Sequence, residues 1–205
     1  MNKFEEALEN FTLAIQQDSE NSDYYFGKAN TLNTIKRFEE ALENYNLAIQ
    51  KNPENSDYQN RKGMILENMN RFEEALENYD SAISKNQSDL SYFLNKANTL
   101  FKMNRPEEAL YNYDLAIQKN PEDSRYYFNK AYILQNLNRF EEALQNYNLA
   151  IQRNPEDSRY YFNKANILIK LGRLNEALEN YDQAIYYQPE LQATIFQFLA
   201  QILQR

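Results

Sequence analysis

The 205-residue chain contains no cysteine, no histidine and no tryptophan. Zinc ligation by thiolate or imidazole is therefore excluded, as are Ser-His-Asp and Cys-His nucleophile systems. The missing cysteines also remove any disulfide framework, which fits an intracellular, cytoplasmic chain. Glycine is scarce: Gly27, Gly63 and Gly172 are too dispersed to form a phosphate-cradling loop. No apolar run approaches the roughly 20 residues of a membrane span, and no signal-peptide pattern follows Met1. Acids outnumber bases by 30 to 22, giving a net charge of −8. Phosphate binding needs clustered Lys and Arg, so nucleic acid is disfavoured as a bulk partner. A membrane is not expected as a partner either, and no cofactor, metal or catalytic group is indicated.

What the chain does have is a period. Phe-Glu-Glu-Ala-Leu stands at 4–8, 38–42, 72–76 and 140–144, with variants at 106–110 (Pro-Glu-Glu-Ala-Leu) and 174–178 (Leu-Asn-Glu-Ala-Leu). The six starts are 34 residues apart without slippage. Such a unit cannot bury its apolar face alone and must stack on a neighbour, which predicts an elongated solenoid.

Each period splits into two amphipathic stretches. In 158–191 the first places Tyr161, Ala165, Leu168 and Leu171 on one stripe; the second places Leu174, Ala177, Leu178, Tyr181, Ala184 and Ile185 on another. Both have the spacing of a helix with one buried face. The punctuation agrees. Asn2, Lys36, Asn70, Asn104, Asn138 or Gly172 precedes a constant basic residue between the stretches, and Asn and Gly tolerate the left-handed conformation that ends a helix. Pro53, Pro121, Pro155 and Pro189 stop the second helix, and Pro106 suits a first helical turn. Ser56, Ser124 and Ser158, preceded by Asn55, Asp123 and Asp157, supply oxygens that cap the next helix. Alanine holds two slots of every second helix, for example Ala75 and Ala82, with Phe11, Tyr45, Tyr79, Tyr113, Tyr147 or Tyr181 between them. Small beside large lets helices interlock at interior density.

These residues resemble the tetratricopeptide repeat, a 34-residue helix–turn–helix. In the last full unit its signature slots hold Tyr161, Lys164-Ala165, Leu168, Ala177, Tyr181, Ala184 and Pro189. The second-helix signature matches in all six copies. The first helix departs from it: Tyr, Gln or Phe replaces Trp, and Lys28, Lys62, Lys96, Lys130 and Lys164 replace Leu. A lysine there packs its stem while its ammonium reaches water. The resemblance implies an all-α, right-handed superhelical solenoid of stacked antiparallel helix pairs forming one domain over 1–205. Residues 3–21 are a half repeat (second helix only), and full repeats run 22–55, 56–89, 90–123, 124–157 and 158–191. Residues 192–205 are a half repeat or a C-terminal capping helix.

The resemblance further implies a non-catalytic scaffold whose first helices line a groove for a peptide or partner protein. The implied ligand-facing slots hold Asn95, Asn129 and Asn163, with Asn98 and Asn166 beside them, and Phe128, Phe162, Arg125 and Arg159. An asparagine amide offers a donor and an acceptor to a peptide backbone of any sequence. The alternative is that asparagine, 29 residues in all, simply pervades this chain. The phenylalanines are candidate anchors or shields of a packing seam. Acids early in the groove (Asp23, Asp57, Glu67) and bases later (Lys102, Arg125, Arg159, Lys170) predict an acidic and apolar segment over 90–191.

The ends are unlike ordinary solenoid ends. Leu191, Ile195, Phe196, Phe198, Leu199, Ile202 and Leu203 make the last helix apolar, and the helix near Lys3 is a second helix alone. Three readings stay open: a piece of a longer array, a hydrophobic cap, or copies joined head to tail into a self-assembling array.

Overall fold

A computed structural model describes residues 2–203, and the side chains of residues 3–201. The side chains of Asn2, Ile202 and Leu203, and Arg205 as a whole, lie outside the described residues. Twelve α-helices and no strand are present among the described residues. They are α1 (Asn2–Gln17), α2 (Ser22–Thr34), α3 (Phe38–Lys51), α4 (Ser56–Asn68), α5 (Phe72–Lys85), α6 (Ser91–Lys102), α7 (Pro106–Lys119), α8 (Ser124–Asn136), α9 (Phe140–Arg153), α10 (Ser158–Lys170), α11 (Leu174–Tyr187) and α12 (Leu191–Leu203). The chain falls into two compact units, residues 1–112 and 113–205, with the division inside the α7 sequence. In each unit consecutive helices pair and the pairs stack, the solenoid arrangement that the period demands.

The turn inside each pair is set by one residue in left-handed conformation: Lys36, Asn70, Asn104, Asn138 or Gly172, with φ between 58° and 72°. The amide of the arginine that follows then reaches back five residues, as in Arg71 N to Leu66 O (2.8 Å) and Arg173 N to Leu168 O (2.9 Å). That bond closes the first helix, and the same arginine's carbonyl accepts the first amide bond of the second helix. Asn2 is different, being the first residue of α1. At the starts of α2, α4, α8 and α10 the cap belongs to the Asx residue, while the serine is the first helical residue. Asn21, Asn55, Asp123 and Asp157 each accept from the amide two residues on. Their side chains satisfy a donor that has no partner inside the helix.

The core is the small–large stripe of the second helices. In the first unit Ala41, Tyr45, Ala75 and Tyr79 have no exposed surface and pack with Leu32, Ile65 and Leu66. In the second unit Tyr147 and Ala150 are equally buried, and Ala150 packs with Tyr160. Burying 150–250 Å² per ring at about 25 cal/mol per Å² is worth roughly 4–6 kcal/mol before entropy is counted. Next to the Tyr79 ring even a methyl is too large at one position: a Cβ added at Gly63 would come within 2.7 Å of it. Not all of the expected stripe is covered. Leu174 and Leu178 of α11 remain 45% and 39% exposed.

Candidate binding face on the first helices

The residues of interest project from the first helix of each pair. Asn95 and Asn98 lie on α6 in the first unit; Arg125, Phe128, Asn129, Arg159, Phe162, Asn163 and Asn166 lie on α8 and α10 in the second.

In the first unit the face is held by its own polar contacts. Asn95 Nδ2 donates to Asn60 Oδ1 (2.9 Å), tying α6 to α4. Asn98 is exposed. The early acids are also engaged. The Tyr58 hydroxyl donates to Asp23 (2.6 Å), and that of Tyr92 to Asp57 (2.7 Å). Glu67 accepts from Lys102 (2.6 Å) and from the Tyr79 hydroxyl (3.0 Å).

In the second unit the equivalent asparagines diverge. Asn163 Nδ2 donates to the Arg159 carbonyl one turn back (2.7 Å), which leaves its Oδ1 available. Asn166 Oδ1 accepts from the Tyr181 hydroxyl (2.6 Å), leaving its Nδ2 available. Asn129 is half-buried and makes no side-chain hydrogen bond among the described residues. Regular spacing in sequence therefore yields three different bonding states.

Phe128 and Phe162 do not stand free. Phe128 is half-buried, 5.0 Å from the Tyr160 ring and 5.9 Å from Tyr147; Phe162 lies 5.9 Å from Tyr181. Each ring covers the seam of its own helix pair and leaves only part of its surface outward. The Arg159 guanidinium lies 5.5 Å from the Phe128 centroid, linking α10 to α8 across this face.

The arginines are exposed, but they are not bare charges. Arg125 grips Asp123 through Nε (2.9 Å) and Nη2 (2.5 Å), and Arg159 grips Asp157 at 2.8 and 2.5 Å. Capping explains the pairing, because the carboxylate that accepts the first-turn amide sits two residues before the arginine. The Arg125 hydrogen bond holds the Asp123 carboxyl below the usual carboxylate range. Burial works to raise Asp157, yet the bonds from Arg159 leave it lowered as well. Each guanidinium keeps Nη1 outside the pair. Lys170 lies 5.4 Å from the Phe140 ring centroid.

Sequence reasoning missed the residue that joins neighbouring pairs. Tyr24, Tyr58, Tyr92, Tyr126 and Tyr160 recur every 34 residues, and the last four are buried. Besides their bonds to Asp23 and Asp57, Tyr58 and Tyr92 meet Ser22 and Ser56 of the preceding first helix at 3.0 Å. Tyr160 shares a bond with Ser124 (2.9 Å). After α10 no tyrosine follows at this spacing, and Ser158 donates instead to Gln188 (2.7 Å). The signal was present in the strict recurrence of the tyrosine, stronger than at the neighbouring Trp-like slot.

Two helices per 34 residues, the left-handed turn residue and the Ala–aromatic–Ala stripe define a helical-repeat protein. The sequence profile of the tetratricopeptide repeat matches over 1–56, 36–91, 60–124, 94–158 and 128–191. The chain belongs to the tetratricopeptide repeat family. Among solved structures it is similar to YrrB, described as a tetratricopeptide protein with an unusual peptide-binding site. That likeness has a TM-score of 0.68 and 23% identity over 91% of this chain and 96% of that one. It is also similar to MamA from Desulfovibrio magneticus RS-1 (TM-score 0.72, 15% identity, 82% and 96% covered). A third similar structure is pilF from Pseudomonas aeruginosa (TM-score 0.73, 20% identity, 94% and 85% covered). At these identities the likeness is one of fold. No curated protein sequence matches the chain. Among the described residues no cluster of acidic side chains is placed to hold a metal ion, and no helix is long and apolar enough to cross a membrane.

Proposed function

We propose that this chain is a protein-interaction module that holds an extended segment of another protein along the first-helix face of α8 and α10. The observation that carries this reading is the unspent hydrogen-bonding capacity of that face. The whole Asn129 amide, Asn163 Oδ1 and Asn166 Nδ2 remain available beside the exposed ring of Tyr132. An amide with donor and acceptor free can pair with a peptide backbone whatever its side chains. Arg125 and Arg159 are exposed on the same helices, the Arg159 guanidinium lies 5.5 Å from the half-buried Phe128 ring, and Phe162 adds a second half-buried ring. An acidic and apolar segment satisfies both features. The peptide-binding site of YrrB gives the reading a precedent on the same fold. Asn95 and Asn98 belong to the same reading on the face of the first unit.

The test begins with peptides selected from a random phage-displayed library on the intact chain. Their affinity is then measured by fluorescence polarisation. Asn129→Ala/Asn163→Ala and Arg125→Glu/Arg159→Glu are each expected to weaken binding about tenfold or more, the loss of one to two hydrogen bonds. Unchanged affinity in both double variants removes this face from the reading.

A second reading is favoured by one observation: Ala7, Phe11 and Ala14 of the small–large stripe on α1 are only half-buried. Copies of the chain would then associate through their end helices.

A further inference from the structure

We propose that a tyrosine side chain of the partner protein enters an open pocket at the start of α10. There it takes the place that a tyrosine of the next first helix takes in other repeats of this chain. This rests on the interaction-module reading above and names one side chain of its partner.

Three repeats define that place. Tyr58 of α4 lays its ring 4.7 Å from Phe26 of α2, and its hydroxyl meets Ser22, one turn before that phenylalanine, at 3.0 Å. Tyr160 of α10 does the same on α8, with its ring 5.0 Å from Phe128 and its hydroxyl 2.9 Å from Ser124. Tyr92 bonds to Ser56 likewise (3.0 Å), with Asn60 in place of the phenylalanine. Each of the three tyrosines is only 1% exposed, so the slot encloses its ring.

On α10 the receiving half of this arrangement is present without the tyrosine. Ser158 and Phe162 stand one turn apart, as Ser22 and Phe26 do, and as Ser124 and Phe128 do. The residue 34 positions after Tyr160 is Thr194 of α12, which is exposed and far too short to reach from a ring to a serine. An open pocket of about 430 Å³ results, bordered by Asp157, Ser158, Arg159, Tyr187 and Gln188. The tyrosines nearby are placed otherwise. Tyr187 stacks on Tyr161 (5.7 Å), and Tyr186 is 75% exposed, set edge-on against Tyr187 (5.1 Å).

The chemistry of the pocket selects a phenol. Ser158 is buried and donates its hydrogen to Gln188 Oε1 (2.7 Å), so its lone pairs are left to accept from an incoming hydroxyl. Phe162, half-buried and already 5.9 Å from Tyr181, offers the ring that Phe26 and Phe128 offer to Tyr58 and Tyr160. A phenylalanine side chain answers the ring and leaves the serine unmet, and a serine or threonine does the reverse. Tyrosine answers both, as it does inside the chain.

The probe is N-acetyltyrosinamide, titrated into isotope-labelled intact chain and followed by two-dimensional NMR. The backbone amides of Ser158 and Arg159 and the side-chain amide of Gln188 should shift, saturating in the millimolar range expected of so small a ligand. N-acetylphenylalaninamide, which lacks only the hydroxyl, should bind about two- to tenfold more weakly. Thr194→Tyr supplies the ring from within the chain, so it should abolish the response and raise the melting temperature. Ser158→Ala should bring the tyrosine probe down to the level of the phenylalanine probe; circular dichroism checks its fold, which keeps the Asp157 cap. No shift at these amides, equal binding of the two probes, or an undiminished response in Thr194→Tyr or Ser158→Ala overturns the pocket. Asn129→Ala/Asn163→Ala should respond to the probe as wild type does, which separates the two claims. A probe that binds while selected peptides ignore both double variants upholds the pocket and removes the α8–α10 segment. Peptides that need those residues, with no response to the probe, do the reverse.

Discussion

At the aromatic slot of α3, α5, α9 and α11, one tyrosine fills the core with its ring and spends its hydroxyl on the partner helix. Tyr79 and Tyr147 have no exposed surface, so truncation to Ala should cost about 3–5 kcal/mol, read from denaturant melts by circular dichroism. Burial also pushes the hydroxyls of Tyr45, Tyr92 and Tyr181 up to about 12. A raised value means that the folded state favours the protonated phenol. The stability this supplies is complete below the ordinary tyrosine value of about 10 and is lost as pH climbs towards 12. Thermal melts should therefore fall steeply across that window, with tyrosinate absorbance lagging behind that of a free phenol. A flat profile would show that these hydroxyls are not buried. Gly63 poses a contest between two residue-scale effects. Alanine would gain up to about 1 kcal/mol of helix propensity, but its Cβ at 2.7 Å from the Tyr79 ring forces repacking that costs about 1–3 kcal/mol. Gly63→Ala should therefore melt lower than wild type.

At the scale of the helix, much was legible in the sequence because the period repeats the same solution. The bounds of α11, the left-handed residue in five turns and the buried stripes follow from alternation of small and large, from Asn or Gly, and from Pro. Lys36 fits a left-handed slot that sequence favours for Asn or Gly, since its own amide bonds to the Asn33 carbonyl and the Arg37 amide to the Leu32 carbonyl. Less was legible about what each polar side chain bonds to. Asn95, Asn129 and Asn163 share one slot yet differ in partner: the residue 35 positions earlier is Asn60, Leu94 or Phe128, and only the first can accept a hydrogen bond through its side chain. The sequence assigns the capping oxygens to Ser56, Ser124 and Ser158; the structure gives the cap to the Asx residue before each. It bonds Ser158 to Gln188, and Ser56 and Ser124 to the tyrosine of the next first helix. Tyr92→Phe isolates that link. It should cost about 0.5–1.5 kcal/mol without changing helix content, because the ring stays and only the bonds to Ser56 and Asp57 go.

For the whole molecule, what the copies share explains stacking, and what they do not share is where recognition is proposed. Arginine replaces Asp23 and Asp57 in the later units, and each arginine arrives with an aspartate that caps its helix, so the later face is a set of ion pairs with one guanidinium nitrogen to spare. That arrangement suits a ligand that competes for a directed hydrogen bond rather than for a bare positive field. Its binding should weaken only modestly with salt, since exposed charges beyond a Debye length are screened while bonded pairs are not. The most direct measurement is two-dimensional NMR of the side-chain amides of labelled chain titrated with a selected peptide. The Asn129 and Asn163 amides should shift together with the side chains of Arg125 and Arg159. Shifts confined to the second helices α7, α9 and α11, with those amides unmoved, would contradict it.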